Sequence, residues 1–482
     1  MRQWGDEGFA SLQFSMRHCD LLILRVRPVT IGSNAKEGIN MQQSKSEVHN
    51  YRCKSQNLLS DAPHAGASSP MKRADIVEQF EPRHSATKNL LPAQSGLYRP
   101  EHEHDACGLG IVADLKHGPS HTVISDAITI LQNLEHRGAV GGDKKTGDGA
   151  GILCQIPDRF FRREMDIEGA IRAAHAALPY GIGMFFLPAQ REAFSKAKAL
   201  VADIAAVHGF AILCWRDVPT LPQVLGERAN KTMPRICQAA FVSSTALASL
   251  AASASAAAPA PAHGPQGDDF ERSLFILRKY IEKEARQAGF SNDEFYIPSL
   301  SSRTIVYKGM FVASQFANFY PDLRDPLFES QFAIVHQRYS TNTFPSWPLA
   351  QPFHMIAHNG EINTLRKNIN SMKARQATMV SPLFGADFFK DIAILDPTGS
   401  DSAIFDNIFE LLVHAGRSPE QVFAMMVQEP FGEGLQISHD KRAYYDFHAA
   451  MLETWDGPAA MSFTDGCVVG AALDRNGLRP FR

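Results

Sequence analysis

The 482-residue sequence predicts an α+β domain built on stacked, largely antiparallel sheets. Two patterns carry this reading. Short apolar runs of strand length, such as "GILCQIP", "TIVYKG" and "CVVGAAL", recur from Cys107 onward. They come in clusters between helical patterns rather than in strict strand–helix alternation, which disfavours a doubly wound parallel sheet. Composition adds a bound: 44% hydrophobic and 21% charged residues describe an ordinary globular protein, long enough to bury a large core.

Taken in chain order, residues 1–106 read as a mostly disordered extension and leader. Ser, Asn, Gln, His and Pro are plentiful there, and no period of 2 or 3.6 is sustained. Met71 is an alternative start, and "LLILRV" is too short for the apolar core of a signal peptide. At Cys107 the texture changes. "GLGIVAD" reads as a strand, and "HTVISDAITILQNLEHRG" sets Val123, Ile124, Ala127, Ile128, Leu131 and Leu134 on one helical face before Gly138. Further strands are expected in "GILCQIP", "GMFFLP", "AILCWR", "CQAAFVS", "TIVYKG", "FAIVHQRYS", "HMIAHNG", "AAMSFTDG" and "CVVGAAL". Helical patterns surround 190–207, 269–288, 361–376, 401–415, 418–427 and 441–453. Residues 246–267 are an Ala-Ser-Pro tract, expected to be a flexible or partly extended insertion within the domain 107–482. Because "DRNGLRPFR" follows a strand directly, the domain is expected to be cut short and to belong to a larger protein.

Several function classes are disfavoured. The net charge is −3 and Lys and Arg are scattered, which argues against a nucleic-acid partner. The longest apolar runs fall far short of the ~20 residues a membrane span needs. Seven cysteines, none spaced as CxxC, fit reduced thiols and a cytoplasmic location.

Four stretches can carry chemistry. In "EHEHDACGLG", Cys107 follows His102, His104 and Asp105; no second ligand pair is evident, so no metal site is assigned. A buried inert thiol and a nucleophile both remain open there, since a reactive thiol needs an activating base. "HRGAVGGDKKTGDGAGI" is dense enough in glycine for a hairpin bordering a site, and it is neither a P-loop nor a dinucleotide fingerprint. In "HQRYSTNTFPSWPLAQPFHMIAHNGEINT", Arg338 ends a buried-looking strand, where it can either clamp a carboxylate or serve a structural ion pair. Asn359-Gly360 is either an ordinary turn or an oxyanion hole made of a side-chain amide and a backbone N–H. "DPTGSDSAIF" opens a helix, with Ser400, Asp401 or Ser402 as N-cap and Asp401 as a possible ammonium receptor.

Together these stretches resemble the class II glutamine amidotransferases, most closely the glutaminase domain of glutamate synthase large subunits. The matching residues are "HDACGLG", "LEHRGAVGGDKKTGDGAG", "YKGM", "RYSTNTFPSWPLAQPFHMIAHNGEINT", "GSDSA", "WDGPAA", "FTDG" and "LDRNGLRP", in order from Cys107 to the end. The resemblance implies the N-terminal-nucleophile hydrolase fold, an αββα four-layer sandwich. It implies that Ala106–Cys107 is cut, so that the freed α-amine of Cys107 serves as its base. Cys107 would then attack the carboxamide of L-glutamine, with Asn359 and Gly360 as oxyanion hole. Arg338 would hold the α-carboxylate, Asp401 the α-ammonium, and Gly138 with glycines 147–151 would shape the pocket wall. No cofactor is implied for this chain. FMN, an iron–sulfur cluster and NAD(P)H or ferredoxin are expected for the complete enzyme, along with synthase domains that aminate 2-oxoglutarate and a small electron-donating subunit. The other readings are a class II amidotransferase of purine or asparagine synthesis, and an unprocessed inactive fragment or regulatory module.

Overall fold

The computed structural model describes residues 21–25, 107–165, 179–253, 266–340, 343–432 and 434–480. The twelve strands among them are β1 (Leu21–Arg25), β2 (Leu109–Ala113), β3 (Ala150–Gln155), β4 (Tyr180–Leu187), β5 (Phe210–Asp217), β6 (Arg235–Ser243), β7 (Tyr296–Ser301), β8 (Thr304–Gly309), β9 (Phe332–Gln337), β10 (Ile356–Gly360), β11 (Ala459–Thr464) and β12 (Val468–Leu473). They form three four-stranded sheets, ordered β1-β12-β11-β10, β2-β9-β3-β8 and β5-β6-β4-β7. Every pairing is antiparallel. The helices that matter for the packing are α1 (His121–Asn133), α2 (Arg191–Val207), α3 (Gln266–Gln287), α4 (Leu365–Gln376), α5 (Asp401–His414), α6 (Pro419–Met426) and α7 (His439–Met451). An α+β architecture is therefore observed.

Strand alternation decides what each face meets. Leu153, Val306, Phe332 and Ile334 of the β2-β9-β3-β8 sheet pack against Ala357 and Val469 of the β1-β12-β11-β10 sheet. On its other face, Ile152, Cys154, Ala333 and Val335 meet Val123, Ile124, Ala127 and Leu131 of α1. That is the helical stripe read from the sequence, and burying Ile124 and Leu131 fully is worth about 2 kcal/mol each. Ile356, Met461, Phe463 and Ala472 pack instead on Ile404, Phe405, Ile408 and Phe409 of α5. The third sheet is buried on both faces: Tyr180, Ile182, Met184 and Phe186 join the α1 core, while Phe185 and Leu187 face α2 and α3. Burial on both sides explains the unbroken apolar run "YGIGMFFL".

Three expectations need correction. Leu21–Arg25, inside the segment read as disordered, is a strand pairing with β12 from Leu21↔Ala472 to Arg25↔Val468. Leu24 adds to the packing between two sheets, and the segment's pairing partner comes from β12, far away in the chain. The rest of 1–106, with Met71, His102, His104 and Ala106, lies outside the described residues. In the Ala-rich tract, expected to be flexible or partly extended, the start is instead helical, as part of Ser244–Ser253, and α3 already starts at Gln266, as alanine's low cost in a helix allows. Residues 254–265 lie outside the described set. Finally, β7, whose "YIPSLS" contains Pro298, was not among the expected strands. It stands at the edge of its sheet with an irregular register against β4, where a missing N–H is tolerated.

Candidate active site

Cys107 stands two residues before β2, separated from it by Gly108, and is 7% exposed. It packs with Leu109 against Ala460 and Leu473, which face each other across β11 and β12. Its thiol donates to the Pro480 carbonyl at 3.0 Å. Burial pushes the thiol pKa up, and the positive charges of Arg479 and Arg137 oppose that rise. Ala460 is the register partner of Asn359, so the thiol lies beside the end of β10.

That end carries the Asn-Gly pair. A Cβ on Gly108 would stand 2.9 Å from Asn359 Nδ2, so the asparagine amide reaches across to the residue after the thiol. Gly360 has φ +155°, and a Cβ there would meet the Pro458 carbonyl oxygen at 1.8 Å. The position therefore accepts only glycine. The next peptide is fixed by Glu361 N–H donating to Pro458 O at 2.9 Å. Asp401 opens α5 with Ser400 as N-cap, whose hydroxyl accepts from Ala403 N–H at 3.3 Å. The Asp401 carboxylate accepts from Ile362 N–H at 2.9 Å and Ser402 N–H at 2.7 Å, tying α5 to the segment after β10. Oδ1 also accepts from Ser402 Oγ at 3.2 Å, which leaves Oδ2 with a lone pair for a cation.

Arg338 follows β9, the strand next to β2, and is 5% exposed. Its Nη2 donates to Thr343 Oγ1 at 2.7 Å, and its backbone N–H donates to Gly149 O at 2.8 Å. Burial lowers its pKa from the usual guanidinium range, while Asp148 and Asp401 counter the shift. Asp148 also accepts from Ser340 N–H at 2.6 Å, steadying the chain after Arg338. The glycine-dense stretch is a hairpin, with Val140 bridged to Gly147 and Ala139 N–H donating to Arg338 O at 3.3 Å. Gly138 lies against Gln337, whose Nε2 would be 2.1 Å from a Cβ placed there. The structure thus gathers Cys107, Asn359 and Gly360 where the start of β2 meets the end of β10, in two neighbouring sheets. Arg338, Asp401 and Gly138 come in from neighbouring segments.

Sequence reasoning passed over the residues behind these. His358, adjacent to Asn359, turns the other way along β10, and its Nδ1 is 2.8 Å from Ser402 Oγ. Its carbonyl accepts from His336 Nε2 and Gln351 Nε2, both at 3.0 Å. Burial depresses His358 and pushes His336 down to about 3, so both rings are neutral. Asp406, fully buried, accepts from His354, Met355 and Ile356 N–H groups and locks α5 to the start of β10. Only the strand–helix contact reveals these partners; "HNG" and "SDS" alone do not.

Among the described residues, His354, Asp406 and Glu410 stand close enough to share a metal ion. A cation already sits there: Arg278 pairs with Glu410 and approaches His354 Nε2 at 3.0 Å. A cavity of about 1010 Å³ opens nearby, between α3 and the 344–349 and 391–399 segments, and none of the six predicted site residues lines it. No helix among the described residues is long and apolar enough to cross a membrane.

Comparison with known proteins identifies the family. Residues 107–482 match the family model for class-II glutamine amidotransferases. The glutamate synthase [NADPH] large chain of Bacillus subtilis (strain 168) is 44% identical over 400 residues, covering 82% of this chain and 24% of that one. That of Azospirillum brasilense is 42% identical over 406 residues, covering 84% and 25%. The chloroplastic ferredoxin-dependent glutamate synthase of Oryza sativa subsp. japonica is 41% identical over 422 residues, covering 86% and 24%. The chain thus spans about a quarter of the length of these relatives. With the family model matched from the thiol at Cys107 through the turn that touches it, this chain belongs to the class-II glutamine amidotransferases.

Proposed function

We propose that the domain hydrolyses L-glutamine to L-glutamate and ammonia through a thioester on Cys107. The observation that carries this reading is the placement of the Cys107 thiol against Ala460, the strand partner of Asn359. Cleavage of Ala106–Cys107 frees an α-amine whose ordinary pKa of about 7.7–8.0 suits it to take the thiol proton. Sulfur adds to the carboxamide carbon, and the oxygen becomes an oxyanion held by Asn359 Nδ2 and Gly360 N–H. Each such donor is typically worth ~3 kcal/mol in the transition state. The C–N bond then breaks, the amine returns its proton, and ammonia leaves. Water adds to the thioester and releases glutamate. Arg338 grips the substrate α-carboxylate with two N–H groups, Asp401 receives the α-ammonium, and Gly138 leaves room at the pocket wall.

The fold that goes with this chemistry is the αββα sandwich of the N-terminal-nucleophile hydrolases, and the packing of α1 and α5 on outer sheet faces supports it. The names of the relatives support ammonia being destined for reductive amination of 2-oxoglutarate in synthase domains outside this chain. FMN, an iron–sulfur cluster, NAD(P)H or ferredoxin, and a small electron-donating subunit belong to that larger assembly, in the cytoplasm.

Intact mass and N-terminal sequencing, together with a glutamine hydrolysis assay, test the reading. It expects a chain beginning Cys-Gly-Leu-Gly and loss of hydrolysis in Cys107→Ala. Hydrolysis that survives this substitution would overturn it.

A further inference from the structure

The motif "LDRNGLRP" has so far been given no role. It begins as β12 ends, at Leu473, and its first polar residue is Asp474, 2% exposed. A buried carboxylate must be matched by donors, and Asp474 finds them in backbone N–H groups around it. Its Oδ1 accepts from Asn476 N–H at 2.9 Å and its Oδ2 from Leu478 N–H at 3.1 Å. Oδ2 also accepts from Ala459 N–H at 2.9 Å, and Asp474 N–H donates back to Ala459 O at 2.8 Å. Ala459 is the strand partner of Gly360. One carboxylate therefore fixes both the turn after β12 and the strand beneath the Asn-Gly pair. Gly477 N–H, donating to Asp474 O at 3.0 Å, tightens the turn further.

The folded turn sends Leu478–Pro480 back across the sheet end, so that Pro480 O accepts from the Cys107 thiol at 3.0 Å. The preceding residue, Arg479, is half-buried. Its positive charge acts on both Cys107 and His358.

We propose that the 474–480 turn is a working part of the nucleophile's site, with Asp474 as a positioning residue and Arg479, the neighbour in chain of the carbonyl that meets the thiol, as the cation that serves it. Resting on the reading of Cys107 as nucleophile, this gives each residue a distinct task. The Pro480 carbonyl aims the S–H and favours its neutral form. When the proton moves from Sγ to the α-amine, the carbonyl loses its donor and Arg479 offsets the new negative charge. Asp474 keeps this apparatus in register with the oxyanion donors, because it holds Ala459 opposite Gly360.

The test is the rate of Cys107 alkylation by chloroacetamide against pH, followed by mass spectrometry on the full processed chain, with glutamine hydrolysis measured in parallel. In Arg479→Gln, alkylation at pH 7 is expected to slow about three- to tenfold, as expected for loss of one nearby and partly screened charge. Arg479→Lys is expected to restore most of it, and 1 M NaCl to shrink the difference. Hydrolysis is expected to lose kcat with KM within about twofold, a split that a merely structural residue would not give. Asp474→Asn is expected to slow both reactions; should it unfold, Arg479→Gln still decides. Wild-type alkylation and hydrolysis in Arg479→Gln, with Cys107→Ala inactive, would overturn this inference alone. Hydrolysis surviving in Cys107→Ala would overturn the assignment of the nucleophile as well.

Discussion

Gly360→Ala puts the oxyanion assignment under its sharpest strain. The added methyl would lie 1.8 Å from the Pro458 carbonyl oxygen and 2.9 Å from Ala459 Cα, both backbone atoms that cannot rotate aside. A carbon and a carbonyl oxygen approach to about 3.3 Å at closest, so the backbone must open by roughly 1.5 Å. The φ of +155° adds strain of about 1–3 kcal/mol for a residue with a Cβ. Opening that gap also breaks the hydrogen bond from Glu361 N–H to Pro458 O, worth about 1 kcal/mol. The variant should therefore lose about 2–4 kcal/mol of stability. A displacement of this size at an oxyanion donor should lower kcat about 100-fold or more. Steady-state glutamine hydrolysis gives kcat, and a urea melt at the assay temperature shows that the variant is still folded. A folded Gly360→Ala with kcat within threefold of wild type would refute the placement of the oxyanion at Asn359-Gly360.

Two further outcomes test the surroundings of the site. Arg338→Lys removes the planar fork and its contact with Thr343, so KM for glutamine should rise about 10- to 100-fold with a smaller change in kcat, read from initial rates. Burial holds His336 at about 3, whereas in the unfolded chain it titrates near 6.5, so the unfolded state takes up the proton first as pH falls. Its contribution is intact above about pH 6.5 and is lost below it, by about 1.4 kcal/mol at pH 5.5. Urea midpoints at pH 7.5 and 5.5 should show this loss, and His336→Gln should flatten the slope.

The helices and most strands were legible because their apolar spacing reports burial directly. The α1 stripe from Val123 to Leu131 meets the sheet as its periodicity requires. β7 was not among the expected strands, and only its edge position makes Pro298 harmless there. β1 was hidden because five residues have no periodicity to read until β12 supplies their partner.

The site divides along the same line. Local motifs singled out Cys107, Arg338, Asn359, Gly360 and Asp401 as candidates, and the resemblance to the class II glutamine amidotransferases supplied the roles proposed for them. Neither could show what holds them. Ser402 under His358, Asp406 under the start of β10 and Asp474 under Ala459 join positions far apart in the chain. Such contacts are decided when helices and turns pack on sheet ends, where a buried polar group must find its partner wherever the fold brings one. Local order determines which residues can do chemistry; tertiary packing decides where they stand.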